Sequence, residues 1–593
     1  MGARFLAVLS RPAVIGGVCA LLTFVAVTLS IDAAGDYPSL WQGPGPTIDE
    51  SFNVQEGVRL AVGGKEWLLG GLTWRDLFGG PKELGPNPVA GYHLADHPPL
   101  GRFWLGLWHE AVVLLAPPAR HEGPFVMSAA RVGSAAAFAL TVLIVGMTAA
   151  RWYGPAAGWT AAFSLLLMPR VFGHAHLAAL ETCMNLAYVA AIVSVASAWD
   201  RESPPTSRTA IWTGALFGLA LLTKIQAIFL PPAVGVWALV RWRSRGIVPV
   251  LSWGLTGVAV LFLLWPWLWF DPVGHFQQYL GRTTQRVALK VWYFGESWAD
   301  KDVPWHYPWT TFLGVVPLGW LALGAAGIVR RFPPRHVDAH PASPVASKSA
   351  PAITSPVRAW RAPRESLLLL AILVPLIVFS IPGVAVYDGE RLFLVVMPLW
   401  SLIAARALAL DPLTDQAKDP SVSDERPRSW PRQQVLLRFV AVFAAIGCWD
   451  LYATAPCWLT FWNGAAAPMA TDARPELEAS YWGDSVTREV LTKAAASVPE
   501  GATIDVAPVL HQFQLEDILS QCPDLRQRRV QLRAYSAKAR NEYLLMFERR
   551  ADLPPELRMP LEGVELIADE RRQGRRLAAV YRVFPAKVVN PSP

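Results

Sequence analysis

The residues best suited to chemistry stand at the ends of apolar runs. Asp49 and Glu50 are adjacent carboxylates in Thr47-Ile48-Asp49-Glu50. Such a pair can serve as a general base or hold a cation. The plainer reading makes Asp49 a helix N-cap with Glu50 in the positive first turn. Asp96-His97-Pro98-Pro99 follows, and it also reads as a rigid turn before an apolar segment. Glu181 lies inside an otherwise apolar run, where a carboxylate needs a partner or a function. Lys224 sits between two apolar stretches; it either snorkels outward or binds a phosphate. Arg391 closes Tyr387-Asp388-Gly389-Glu390-Arg391, as a phosphate clamp or as the partner of Asp388 or Glu390 in a structural salt bridge. His174 and His176 are two apart and would reach one ion only from an extended loop; cavity-lining hydrogen bonds suit them better. Residues 271–308 interleave Arg282, Arg286, Lys290 and His306 with Trp292, Tyr293, Phe294, Trp298 and Trp305. The aromatics fit an interfacial belt, and the cations fit an anionic headgroup.

The elements that must position these groups are membrane helices. Of 593 residues 17% are charged and 53% hydrophobic, against about 25% charged in soluble proteins. That balance excludes a disordered chain, a coiled coil and a small stapled domain, and it argues against a soluble enzyme. Runs of roughly 20 apolar residues can cross a bilayer. Candidate spans are 13–31, 127–150, 156–169, 177–198, 209–223, 225–240, 247–270, 309–329, 366–386, 392–410 and 436–455. The first follows Arg4 and Arg11 and reads as an anchor rather than a cleaved leader. The stretch 100–116 carries Arg102, His109 and Glu110 and reads as interfacial or re-entrant. The formal net charge of +7 is no sign of nucleic acid. It marks topology.

Basic clusters follow alternate spans: Arg151; Arg201 and Arg208; Arg241, Arg243 and Arg245; and Arg330 through Arg364, with seven Lys/Arg against the single acid Asp338. By the positive-inside rule these loops are cytoplasmic. The segment 330–365, rich in Pro, Ala and Ser, reads as a disordered linker. The segments 32–99, 170–176, 271–308 and 387–391 then lie outside. So does the tail 457–593, whose short β-like runs and helix-like stretch near 485–497, with Asp484 as N-cap, predict a small α/β domain. Cys457 and Cys522 share that side, so a disulfide and two free thiols are both allowed. The five cysteines show no metal-ligand spacing, and no fixed-period repeat is visible.

The ordered set Asp49-Glu50, His97-Pro98-Pro99-Leu100, a Pro-Arg loop followed by an acid, Thr223-Lys224, Tyr293-Phe294-Gly295-Glu296 and Glu390-Arg391 resembles integral-membrane GT-C glycosyltransferases of the protein O-mannosyltransferase and aminoarabinose lipid A transferase type. The resemblance covers about 1–460 and continues weakly through Phe461-Trp-Asn-Gly464 and Tyr481-Trp-Gly-Asp484. It implies an α-helical polytopic fold of about 11–13 transmembrane helices. A transferase domain would span 1–456, with 271–308 as the substrate loop, and an extracytoplasmic α/β domain would span 457–593. It implies an inverting transfer from a polyprenyl-phosphate-linked hexose or pentose to a protein, lipid or glycan acceptor outside the cytoplasm, among membrane lipids.

By the same resemblance Asp49 is the base, helped by Glu50. Glu181 stands where relatives usually offer Asp. His97 lies by the donor phosphate, where relatives of the lipid A enzymes often carry Lys, which would make the charge there pH-dependent. Lys224 and Arg391 hold the phosphate. Tyr293, with Arg282 and Arg286 in its loop, closes over the sugar. No metal-ligand set is convincing, and a divalent metal stays open. A transporter or flippase of lipid-linked sugars would need no base, and a non-catalytic assembly protein would tolerate loss of Asp49, Lys224 and Arg391 together.

Overall fold

The computed structural model describes residues 7–79, 92–120, 123–284, 288–330, 363–409, 429–520, 522–539, 542–559 and 561–584. Arg286 and nearly all of the 330–365 linker lie outside these. The helical part contains α1 (Pro12–Leu29), α2 (Glu50–Leu68), α3 (Pro99–Leu115), α4 (Met127–Tyr153), α5 (Pro155–Leu166), α6 (Leu180–Ala198) and α7 (Ser207–Leu221). It continues with α8 (Leu230–Trp242), α9 (Ile247–Leu263), α10 (Pro272–Thr284), α11 (Tyr307–Val315), α12 (Leu318–Val329), α13 (Pro363–Val378), α14 (Val396–Ala405) and α15 (Ser429–Thr454). The protein is a polytopic helical membrane protein with a small sheet-bearing C-terminal domain.

Every apolar run read from the sequence is helical, but proline cuts several short. The run 309–329 bends by 110° between α11 and α12. Pro317 removes a backbone donor there, and Val316 turns extended at φ −82°, ψ 127°. The run 225–240 opens as a 3-10 turn, Ile225–Phe229, and becomes α-helical only from Leu230, with proline in its first turn. Among the described residues five helical stretches are long and apolar enough to cross a bilayer, six if the bent pair counts as one.

Small residues bring the central helices together. α4, rich in Ala, Gly and Ser, is buried along most of its length against α1, α3, α5 and α6. α2 crosses α3 at Gly57 and Gly106, where a Cβ on Gly106 would lie 1.9 Å from the Gly57 carbonyl oxygen. Arg102 and His109 are thereby turned inward, whereas Glu110 stays exposed. Arg102 donates to Asn53 Oδ1 at 3.2 Å, and His109 Nε2 accepts the Val126 amide at 2.9 Å.

A two-stranded hairpin, β1 (Lys290–Tyr293) with β2 (Glu296–Ala299), stands between α10 and α11. The C-terminal domain carries β3 (Thr503–Ala507), β4 (Gln531–Ala534), β5 (Tyr543–Phe547), β6 (Val564–Arg572) and β7 (Arg575–Val583) in the order β4-β3-β5-β7-β6. β3 is parallel to β4 and β5, and the β5-β7 and β7-β6 pairs are antiparallel. Helices α16 (Arg488–Ser497) and α17 (Phe513–Ser520) cover the sheet through Val490, Leu491, Leu515 and Ile518. The helix expected from Ser485 starts three residues later, with Thr487 at its N-cap; Asp484 instead accepts from Ser480 Oγ at 2.6 Å. β4, which lacks an apolar signal, is an edge strand with no fully buried residue. Cys457 and Cys522 are both free thiols.

Candidate active site

Four of the sequence-selected residues meet around one guanidinium. Arg391 opens a 3-10 turn after the Tyr387–Glu390 loop. Gly389 holds this loop at φ +58°, and a Cβ there would meet the Tyr481 ring at 2.7 Å. From this turn Arg391 pairs with Asp49 at the start of α2, with Glu181 Oε1 in the first turn of α6 at 2.7 Å, and with Asp388 Oδ2 at 2.8 Å. The face of its guanidinium lies 4.3 Å from the Trp482 ring centroid. Lys224, extended between α7 and the Ile225–Phe229 turn, reaches the same Glu181 Oε1. Two cations and three carboxylates thus form one ion network.

Its members differ in access. The side chains of Glu181, Lys224 and Arg391 are 2%, 5% and 10% exposed, whereas that of Asp49 is 31% exposed. The network is therefore open to solvent at Asp49. Asp49 sits at the N-cap of α2 but makes no side-chain capping bond, and its carboxylate pairs with Arg391.

Glu50 has a different fate. It is fully buried, and both its oxygens are held by Arg131, at 2.7 and 2.8 Å. The Ala178 amide at 2.6 Å and the Thr47 amide at 2.9 Å complete the shell. A carboxylate so saturated orders the start of α2.

His97 precedes α3 with Arg102, Lys224, Asp96 and Glu181 as charged neighbours. Burial, then the cations Arg102 and Lys224, hold its imidazole well below its ordinary range. Both influences disfavour the charged ring. Arg282 is engaged with Asp96 at 2.6 Å, one residue from His97. Tyr293 is 1% exposed and its hydroxyl bonds His306 Nδ1 at 2.6 Å. Its hairpin is docked on the tail: Tyr293 bridges Leu477, the Gly295 amide bonds the Glu476 carbonyl, and Trp292 Nε1 donates to the Pro475 carbonyl at 2.6 Å.

A second buried network lies behind the first. Glu390 accepts from Arg170 at 2.7 Å and from the Tyr481 hydroxyl at 3.1 Å, with His174 Nε2 at 3.3 Å. Burial opposes its charge, but Arg170 and His174 outweigh this and hold Glu390 below the usual carboxylate range. The Glu390–Arg391 dipeptide therefore splits between two networks, and the salt bridge of Arg391 forms with Asp388, not Glu390. His174 and His176 serve different partners: His176 bonds the Phe172 carbonyl at 2.8 Å and Ser30 Oγ at 3.0 Å. Among the described residues no group of three His, Cys, Asp or Glu is set to hold a metal.

Sequence reasoning missed the tail's contribution. Arg549, just after β5, donates to Asp388 Oδ1 at 3.2 Å and to the Tyr481 carbonyl, and pairs with Asp552 at 2.6 Å. Trp482, which covers Arg391, belongs to the Tyr481-Trp-Gly-Asp484 segment. That aromatic pair was the only signal available. Nothing in the sequence around Arg549 sets it apart from the other arginines of the tail.

With this geometry in place, the comparisons gain meaning. Residues 123–270 match the family of dolichyl-phosphate-mannose-protein mannosyltransferases. That stretch holds Arg131, Arg170, His174, Glu181 and Lys224 but not Asp49, His97 or Arg391. The matched stretch is less than half of the chain, and over it the resemblance read from the sequence is met. ArnT from Cupriavidus metallidurans is similar in its apo state at 15% identity and TM-score 0.46, with 98% of each chain covered. The same protein bound to undecaprenyl phosphate gives 16% identity and TM-score 0.45, over 96% of this chain and 97% of that one. The arabinofuranosyltransferase AftD from Mycobacteria gives 14% identity and TM-score 0.40, over 97% of this chain and 40% of that one. No curated protein matches the sequence.

Proposed function

We propose that the protein transfers a sugar from a polyprenyl-phosphate carrier to an acceptor hydroxyl on the extracytoplasmic face of a membrane. The observation that carries this reading is the shared guanidinium: Arg391 binds the accessible carboxylate of Asp49 and the buried one of Glu181, beside Lys224. Lys224 and Arg391 bind the donor phosphate, and Glu181 holds both cations in place. The phosphate competes with Asp49 for Arg391, which frees the carboxylate to act as base.

The acceptor oxygen then attacks the anomeric carbon, and the bond from that carbon to the phosphate oxygen breaks. The acceptor proton passes to Asp49. The electron pair of the broken bond remains on the phosphate, whose added charge Lys224 and Arg391 stabilise. Displacement from the opposite face inverts the anomeric centre. The basic clusters flanking alternate helices favour an orientation with this site and the 457–593 domain outside the cytoplasm.

The test is transfer by the full-length enzyme in lipid nanodiscs, using prenyl-phosphate-linked hexoses and pentoses with hydroxyl acceptors. Asp49→Asn is expected to lower kcat by roughly 100- to 10,000-fold, the range of general base catalysis. Transfer at wild-type rate by that variant would remove Asp49 as the base. Lys224→Gln and Arg391→Gln are expected to weaken binding of undecaprenyl phosphate.

A further inference from the structure

Among the described residues, several buried polar atoms in the segments that carry His97, Glu181 and Lys224 have no hydrogen-bond partner. They are Glu181 Oε2, Asn185 Oδ1, Gln226 Oε1 and His97 Nδ1. Asn185 is 2% exposed and Gln226 5%. Buried polar groups in native proteins are nearly always paired, so a cluster of orphans calls for a ligand.

The topology turns these residues toward one place. Asn185 lies one helical turn after Glu181 on α6, and Tyr188 follows three residues later on the same face. Glu181 bonds Lys224, and Tyr188 bonds the Ala371 carbonyl of α13 at 3.0 Å. That face of α6 therefore looks onto α13 and the turn Ile225–Phe229, and both pack against it. Gln226 belongs to this turn, two residues from Lys224.

We propose that Asn185 and Gln226 form a subsite that reads hydroxyl groups of the donor sugar. The inference rests on the transfer reading above, which puts the donor phosphate on Lys224. A sugar joined to that phosphate brings hydroxyls within a few ångströms of it. Each hydroxyl donates one hydrogen bond and accepts others, which matches the paired donor and acceptor functions of a primary amide. The unpartnered Glu181 Oε2 and His97 Nδ1 add two further polar atoms to this lining. The same chemistry could also receive an acceptor sugar, and the experiment separates the two.

Full-length enzyme in nanodiscs is titrated, without acceptor, with undecaprenyl phosphate and with its hexose and pentose esters. Wild type should bind one sugar ester more tightly than the bare lipid. Asn185→Leu and Gln226→Leu should each cut that preference roughly tenfold, as expected for a lost hydrogen-bonding partner, and leave bare-lipid affinity within about twofold. Neither variant should melt below wild type, because neither amide oxygen supports the fold through a protein hydrogen bond. Equal loss for bare lipid and ester, or no loss for either, overturns the subsite. So does unchanged donor binding with a raised KM for the acceptor. Failure of wild type to bind the bare lipid would instead sink the transfer reading itself.

Discussion

Asp49 and Glu50 are neighbours in sequence with opposite environments. One carboxylate is about one-third exposed and faces Arg391; the other is sealed between Arg131 and two backbone amides. The sequence shows an acidic pair, yet nothing local says which member keeps its access. The discriminating partner, Arg131, is 81 residues away in an Ala-rich helix. Removing one partner of a buried pair leaves an uncompensated charge and costs about 3–5 kcal/mol. Arg131→Met should therefore lower the thermal unfolding temperature in detergent strongly. Asp49→Asn should lower it far less, because its carboxylate is partly solvated. The opposite ordering would show that Asp49, not Glu50, anchors α2.

At the scale of elements, helix positions were legible because apolar length alone defines them. Their breaks were less so, since a proline inside an apolar run reads equally as a kink or a new start. The α2–α3 crossing is specified by two glycines that carry no apolar signal. Gly106→Ala would drive a methyl group into the Gly57 backbone, where no flexible side chain can yield. It should cost about 1–3 kcal/mol, as overpacking does, and should reduce transfer by displacing Asp49. Gly17→Ala in α1 meets nothing within 4 Å and serves as the control.

A second element-level consequence concerns pH. Burial, with Glu50 adding to it, raises Asp517 of α17 from 3.8 to about 6. Asp36 in the first loop, raised by burial and by Asp32, also stands at about 6. A raised carboxyl pKa means that the folded state favours the neutral form. That stabilisation is complete below pH 4 or so and is lost as pH rises through about 6. The melting temperature should fall between pH 5 and 7.5, and Asp517→Asn should flatten the slope. A profile unchanged by the substitution would remove Asp517 from the account.

For the molecule as a whole, the tail's fold was partly legible and its task was not. Short β-like runs marked β3, β5, β6 and β7, whereas the contacts that tie the domain to the ion network come from Trp482 on Arg391 and from Arg549 on Asp388. Arg549 holds Asp388, Asp388 holds Arg391, and Arg391 holds both Asp49 and Glu181. The domain thus acts on the site through a chain of charge-assisted hydrogen bonds, each worth about 1.5–3 kcal/mol. Arg549 touches no reacting group in this scheme, so it is a positioning residue. Arg549→Gln should lower kcat/KM roughly 10- to 100-fold, with Arg549→Lys recovering part of the loss. Asp388→Asn should give a similar defect, and the double variant should be little worse than either, because both break the same chain. Lys493→Gln, at an exposed pair with Glu489 on α16, should leave transfer unchanged. Additive defects in the double variant would mean that Arg549 acts on the site by a route other than Asp388.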